Sequence, residues 1–95
     1  LTDILTQRAI AFLDRQKGRA GPWFLNLWYY APHSPIQPPA SIRGKYPPTE
    51  AGAFHALVDD LDSNIGRVLD ALDRNGQGDD TLVILLSDNG GANAA

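Results

Sequence analysis

The 95-residue chain reads as an α/β protein. Three observations lead there. Two apolar runs, residues 23–29 and 82–87, have the length and composition of buried strands. A long segment of helical period, residues 50–75, lies between them. A helix joining two buried strands favours parallel pairing with a right-handed crossover.

Residues 2–16 predict an amphipathic helix. Leu5, Ala9, Phe12 and Leu13 recur at helical spacing, and Arg8, Asp14 and Arg15 face elsewhere. Thr2 or Asp3 is suited to cap it, and Gly18 and Gly21-Pro22 end it. The first strand follows as Trp-Phe-Leu-Asn-Leu-Trp-Tyr, residues 23–29, with Trp23 and Trp28 expected in the core. Residues 31–49 then hold six of the 7 prolines, a composition that argues against helix and central strand. Long structured loops of this kind are often functional.

Residues 50–75 predict the longest helix. Thr49 suits the N-cap and Glu50 the first turn. Leu57, Leu61, Ile65, Val68, Leu69 and Leu72 form one apolar stripe, and Asp70 and Arg74 are spaced to pair. Gly66 costs about 1 kcal/mol against Ala in a helix interior, which points to close approach of another backbone. Asn75-Gly76 stops the helix and Gly78-Asp79-Asp80 turns the chain. The second strand ends in Ser87-Asp88-Asn89-Gly90-Gly91.

Composition narrows the function. Apolar content of 43% and charged content of 20% describe a folded segment. A net charge of -3, a pI near 5.0 and no Lys/Arg run give no electrostatic case for nucleic acid or an anionic membrane. The absence of cysteine excludes a disulfide framework and thiolate metal sites, and leaves the compartment open. No apolar stretch reaches membrane-span length and no signal peptide is visible. The chain starts at Leu1 and lacks methionine, so the natural start of the gene product is expected to be absent. Two parallel strands would leave both sheet edges open, so the chain is expected to be part of a larger α/β domain.

Chemistry gathers after the two strands. In an open parallel sheet the strand C-terminal ends form the ligand-binding edge. Asp88 offers a carboxylate there and Asn89 a neutral amide oxygen, both hard-cation donors. The same residues are ordinary turn formers, and on their own they leave both readings open. His33 follows the first strand and is expected to reach the same edge, held between Pro32 and Pro35. A lone loop histidine more often bonds nearby backbone. His55 has no motif and reads as structural or exposed. Asp59, Asp60 and Asp62 read as a solvated helix face, with Asp62 expected to be partly buried. Arg43 and Lys45 are loop cations that could meet an anion.

Three ordered blocks carry a family resemblance. The stretch Pro22-Trp-Phe-Leu-Asn-Leu-Trp-Tyr-Tyr-Ala-Pro-His-Ser-Pro35 resembles the sulfatase segment in which a buried strand runs into Pro-His-x-Pro. Residues 57–72 are similar to the helix that follows in that family, and residues 81–91 resemble its metal-binding strand and turn. The resemblance covers essentially the whole chain.

The resemblance implies a fragment of an alkaline-phosphatase-like sandwich, with parallel strands and packed helices, in which residues 1–95 are the central segment of a catalytic domain. It implies hydrolysis of sulfate esters, on a sulfated small molecule or glycan. Asp88 and Asn89 would bind Ca²⁺, with Mg²⁺ as the alternative, and His33 would bind sulfate or assist the leaving group. The family's nucleophile is a formylglycine made from a Cys/Ser-x-Pro/Ala-x-Arg motif. No such motif occurs here, so the nucleophile is expected in a missing N-terminal region, and the 95 residues alone are expected to be inactive. A periplasmic, secreted or lysosomal location is implied in the same way. Two alternatives remain at this stage: a phosphodiesterase or phosphonate hydrolase of the same superfamily, and a non-catalytic scaffold remnant.

Overall fold

A computed structural model describes residues 1–91. Among these residues the regular structure is helical: α1 (Thr2–Gln16), α2 (Ala40–Arg43), α3 (Glu50–Arg74) and a 3₁₀ turn (Gly78–Asp80). No strand and no sheet form among the described residues, so the expected α/β arrangement with parallel strands is not what this chain adopts. The reason lies in what a strand requires. It is a pairing between segments, and no backbone hydrogen bond links residues 22–30 to residues 81–87.

The first apolar run still keeps strand periodicity. Trp23, Leu25, Leu27 and Tyr29 are half-buried, while Phe24, Asn26, Trp28 and Tyr30 are exposed. That alternation is the two-residue period of an extended chain with one face on a core. It corrects the expectation for Trp28, which falls on the outer face at 80% exposure. The second run is exposed throughout, from Leu82 at 85% to Leu86 at 84%.

The core lies between α1, the C-terminal half of α3 and the inner face of the first run. Ala9, Leu13, Val68, Ala71 and Leu72 are buried, and Ile10, Phe12, Trp23, Leu25 and Leu27 pack around them. Phe12 and Trp23 meet edge to face with ring centroids 5.7 Å apart. Thr6, fully buried, shares a 2.5 Å hydrogen bond with the Tyr29 hydroxyl. The first run therefore passes along α1 in the opposite direction. Arg67 pairs with Asp3 at one end of the helix pair, and Asn75 donates to the Asp14 carboxylate at the other. These links make α1 and α3 run the same way. Arg67–Asp3 is the ion pair found among the described residues, and the expected Asp70–Arg74 pair does not form.

The helix limits follow local chemistry. Thr49 caps α3, its hydroxyl accepting from the Gly52 N–H at 3.0 Å. At the other end Gly76 takes φ 69°, the Gly76 N–H bonds Asp73 O, and the Gln77 N–H bonds Leu72 O. This pair of bonds is a Schellman ending, which uses up orphan carbonyls of the last turn. α1 starts without a side-chain cap, so Thr2 and Asp3 lie inside the helix.

Three further expectations need correction. The α3 stripe holds at Leu57, Val68 and Leu72, but Leu69 is exposed and Ala56 and Ala71 are buried. At Ala71 the small side chain belongs to the core that α3 shares with α1. A Cβ on Gly66 would meet nothing within 4 Å. The close approach is instead at Gly52, where a Cβ would lie 2.0 Å from the Pro47 carbonyl oxygen. Finally, the proline-rich loop contains the helical turn α2. It begins after Pro39, and residues 40–46 carry no proline, so their N–H groups are free to bond.

The radius of gyration is 15.3 Å, against about 13 Å for a compact domain of 100 residues. The excess agrees with the exposed apolar runs. No helix among the described residues is long and apolar enough to cross a membrane.

Candidate functional site

His33 sits in the turn that ends the first apolar run. Its backbone N–H donates to Tyr30 O at 3.1 Å. The ring Nδ1 lies 2.8 Å from Ser34 O. A carbonyl oxygen only accepts, so Nδ1 carries the hydrogen and Nε2 is left for other partners. The Tyr30 ring packs against the imidazole with centroids 5.0 Å apart. Its hydroxyl donates to the same Ser34 carbonyl at 2.9 Å. His33 is exposed and lines a recess of about 230 Å³ with Thr2, Tyr30, Pro35, Gln37 and Leu57.

Asp88 and Asn89 lie in the bend after the second apolar run, both exposed. The Ser87 hydroxyl donates to Asn89 O at 2.6 Å, and Asn89 Nδ2 donates to Gly90 O at 2.8 Å. The amide nitrogen is thus engaged with the backbone. A carboxylate and an amide oxygen suit a hard cation by donor type. Among the described residues no group of three or more His, Asp or Glu side chains gathers as a metal cage. Ca²⁺ takes about six to eight oxygens, so this pair would be part of a larger ligand set.

Leu57 lines the His33 recess, and a Cβ built on Gly91 would lie 3.9 Å from Phe54 Cζ. Phe54 and Leu57 are one helical turn apart. His33 thus shares a recess with Leu57, whereas Gly91 lies beside the Phe54 ring, which lines a different recess.

A second, more open recess of about 720 Å³ is lined by Tyr46, Phe54, His55, Val58, Asp59 and Asp62. Tyr46 donates to Asp59 Oδ2 at 2.8 Å. That bond holds the phenol above its ordinary range, because ionisation would set a phenolate against a carboxylate. Sequence reading passed over Tyr46, whose partner is 13 residues away on α3. Asp62 is exposed rather than partly buried, while Asp59 and Asp60 are half-buried. Burial raises the Asp60 pKa, Asp3 and Asp59 add to the rise, and the N-terminal amine and Arg67 oppose it. Arg43 is taken up by backbone. Its guanidinium donates to the carbonyls of Tyr46, Pro47 and Thr49 at 3.3, 2.9 and 3.2 Å.

The model of the family described as Sulfatase matches residues 1–94. The chain belongs to the sulfatase family. Among curated sulfatases, it is 36% identical over 94 residues to the uncharacterized sulfatase YdeN of Escherichia coli K12, which covers 95% of this chain and 17% of the relative. Identity to human N-acetylgalactosamine-6-sulfatase is 34%, over 97% of this chain and 17% of that protein. The multifunctional alkaline phosphatase superfamily protein PehA of Trinickia caryophylli is 31% identical, over 90% of this chain and 26% of its own length. The chain thus spans about a fifth of the length of these relatives. No solved structure matches it.

Proposed function

We propose that this chain is the part of a sulfatase catalytic domain that presents His33 to a sulfate ester and Asp88 and Asn89 to a divalent cation, Ca²⁺ or Mg²⁺. The observation that carries the reading is the family match over residues 1–94, in a chain that exposes an imidazole after the first apolar run and a carboxylate and an amide oxygen after the second. Asp88 supplies the charged oxygen and Asn89 the neutral one. When bound, the cation would draw charge from the sulfuryl oxygens. The nucleophile, a formylglycine by family resemblance, would come from residues outside this chain.

Hydrolysis adds one water and breaks the bond between sulfur and the bridging oxygen. The products are an alcohol and hydrogen sulfate. The bridging oxygen leaves with the bonding pair and needs a proton. His33 Nε2, left open because Nδ1 is bonded to Ser34 O, would deliver it from the imidazolium form. The substrate is a sulfated small molecule or glycan.

The test is metal content and turnover of the intact protein in three variants. Asp88→Ala lowers both. Asn89→Ala does the same less severely, because water replaces a neutral oxygen. His33→Ala keeps the metal and lowers turnover by roughly 10²–10⁴-fold, the range for lost proton transfer. Loss of metal in His33→Ala with retention in Asp88→Ala would reverse the roles and sink the assignment. A second reading is a phosphodiesterase or phosphonate hydrolase of the same superfamily, a superfamily that the name of PehA also carries. Faster turnover of an aryl phosphodiester or phosphonate monoester than of an aryl sulfate would favour it.

A further inference from the structure

We propose that Tyr30 is a positioning residue for His33, fixing which ring nitrogen faces the substrate. The proposal rests on the reading of His33 given above.

Three links tie the two residues, one through the backbone and two through the imidazole. The first is the turn itself, in which the His33 N–H donates to Tyr30 O at 3.1 Å. It sets where the His33 Cα stands relative to Tyr30. The second is ring packing, with centroids 5.0 Å apart and planes inclined by 47°. It restricts the side-chain torsions of the imidazole. The third is a shared acceptor. The Ser34 carbonyl takes hydrogen bonds from His33 Nδ1 at 2.8 Å and from the Tyr30 hydroxyl at 2.9 Å. A carbonyl oxygen has two lone pairs, so both donors are accommodated.

The consequence is chemical. Pro35 limits the rotation of the Ser34 carbonyl, and a hydrogen bond to its oxygen limits it further. The Tyr30 hydroxyl ties the Ser34 peptide plane to the same aromatic ring that packs on His33. With the carbonyl fixed, the hydrogen stays on Nδ1, and Nε2 is the nitrogen that exchanges protons. Tyr30 is about half exposed, so packing against a core does not account for its placement. Its inner-face neighbour Tyr29 is the one spent on structure, through Thr6.

The experiment has two arms. The first reads the imidazole directly, by ¹⁵N NMR of ring-labelled histidine in the intact protein, with the His33 signals assigned by their loss in His33→Gln. With Tyr30 present, neutral His33 should show predominantly the Nδ1–H tautomer. Tyr30→Phe keeps the ring and removes the hydroxyl, and should shift His33 toward a mixture of tautomers. Tyr30→Leu should shift it at least as far. Unchanged tautomer populations in both variants would overturn the proposal. The second arm is kinetic, in the intact protein. Tyr30→Phe should lower kcat about tenfold at unchanged KM, as expected for a misplaced proton donor. A KM rise at unchanged kcat would mean that Tyr30 binds substrate instead, and would also overturn it. If His33→Ala leaves turnover unchanged, the role of His33 fails, while the tautomer arm still reports whether Tyr30 sets the ring.

Discussion

The carbonyl oxygen of Pro47 occupies the place where a side chain on Gly52 would begin, 2.0 Å from an ideal Cβ. The end of the proline-rich loop is thereby laid directly on the first turns of α3. Arg43 clamps the same corner through three backbone carbonyls. Gly52→Ala should open this corner at a cost of about 1–3 kcal/mol, the usual range for overpacking. Chemical denaturation of the variant against the parent measures it. A change within a few tenths would mean that the loop moves aside freely.

Leu13 has no exposed surface and sits where α1, α3 and the first apolar run meet. Leu13→Ala should destabilise the protein by about 2–5 kcal/mol. Leu69→Ala, at an exposed position of the same helix pair, should have a far smaller effect. Equal losses would show that the core does not centre on Leu13.

Asp60 gives a pH signature. Its pKa in the folded chain is raised above the ordinary carboxylate value, first by burial and then by Asp3. The folded state then holds the proton more tightly than the unfolded state. Asp60 therefore weakens the fold as pH rises through the window between the ordinary value of 3.8 and the raised one. Above that window its penalty is constant, and it vanishes below. Asp60→Asn should raise stability at neutral pH and remove this contribution to the slope. Stability curves from pH 3 to pH 7 for the two proteins would show it, and a parallel pair of curves would refute it.

The 95 residues alone should hydrolyse no aryl sulfate above background. They offer positioned groups but no Cys, and none of their serines lies in the nucleophile motif. Turnover by the purified chain, free of contaminating enzyme, would disprove this and the division of roles behind it.

The local chemistry of the helices was legible in the residues. α1 begins at Thr2 and ends at Gln16 as the spacing of Leu5, Ala9, Phe12 and Leu13 requires. Thr49 caps α3, and Asn75-Gly76 ends it. Family membership was legible too, because it rests on ordered blocks of residues. Less of the site could be read. His33, Asp88 and Asn89 stood out by type and place, yet the hydrogen on Nδ1 depends on where Ser34 O points.

Sequence alone therefore determined the two long helices and their ends, since each is written in residues within a few positions of one another, and the family, which is written in the order of three blocks. A helix bonds residue to residue four apart, and a cap or Schellman turn closes within one turn. Tertiary structure decided the rest. Strand pairing needs a partner brought from elsewhere, and residues 23–29 and 82–87 do not pair with one another despite ideal composition. The approach of Pro47 to Gly52 and the bond from Tyr46 to Asp59 likewise depend on how the proline-rich loop folds back. Period and propensity describe what a segment can become, and the segments that meet it decide whether it does.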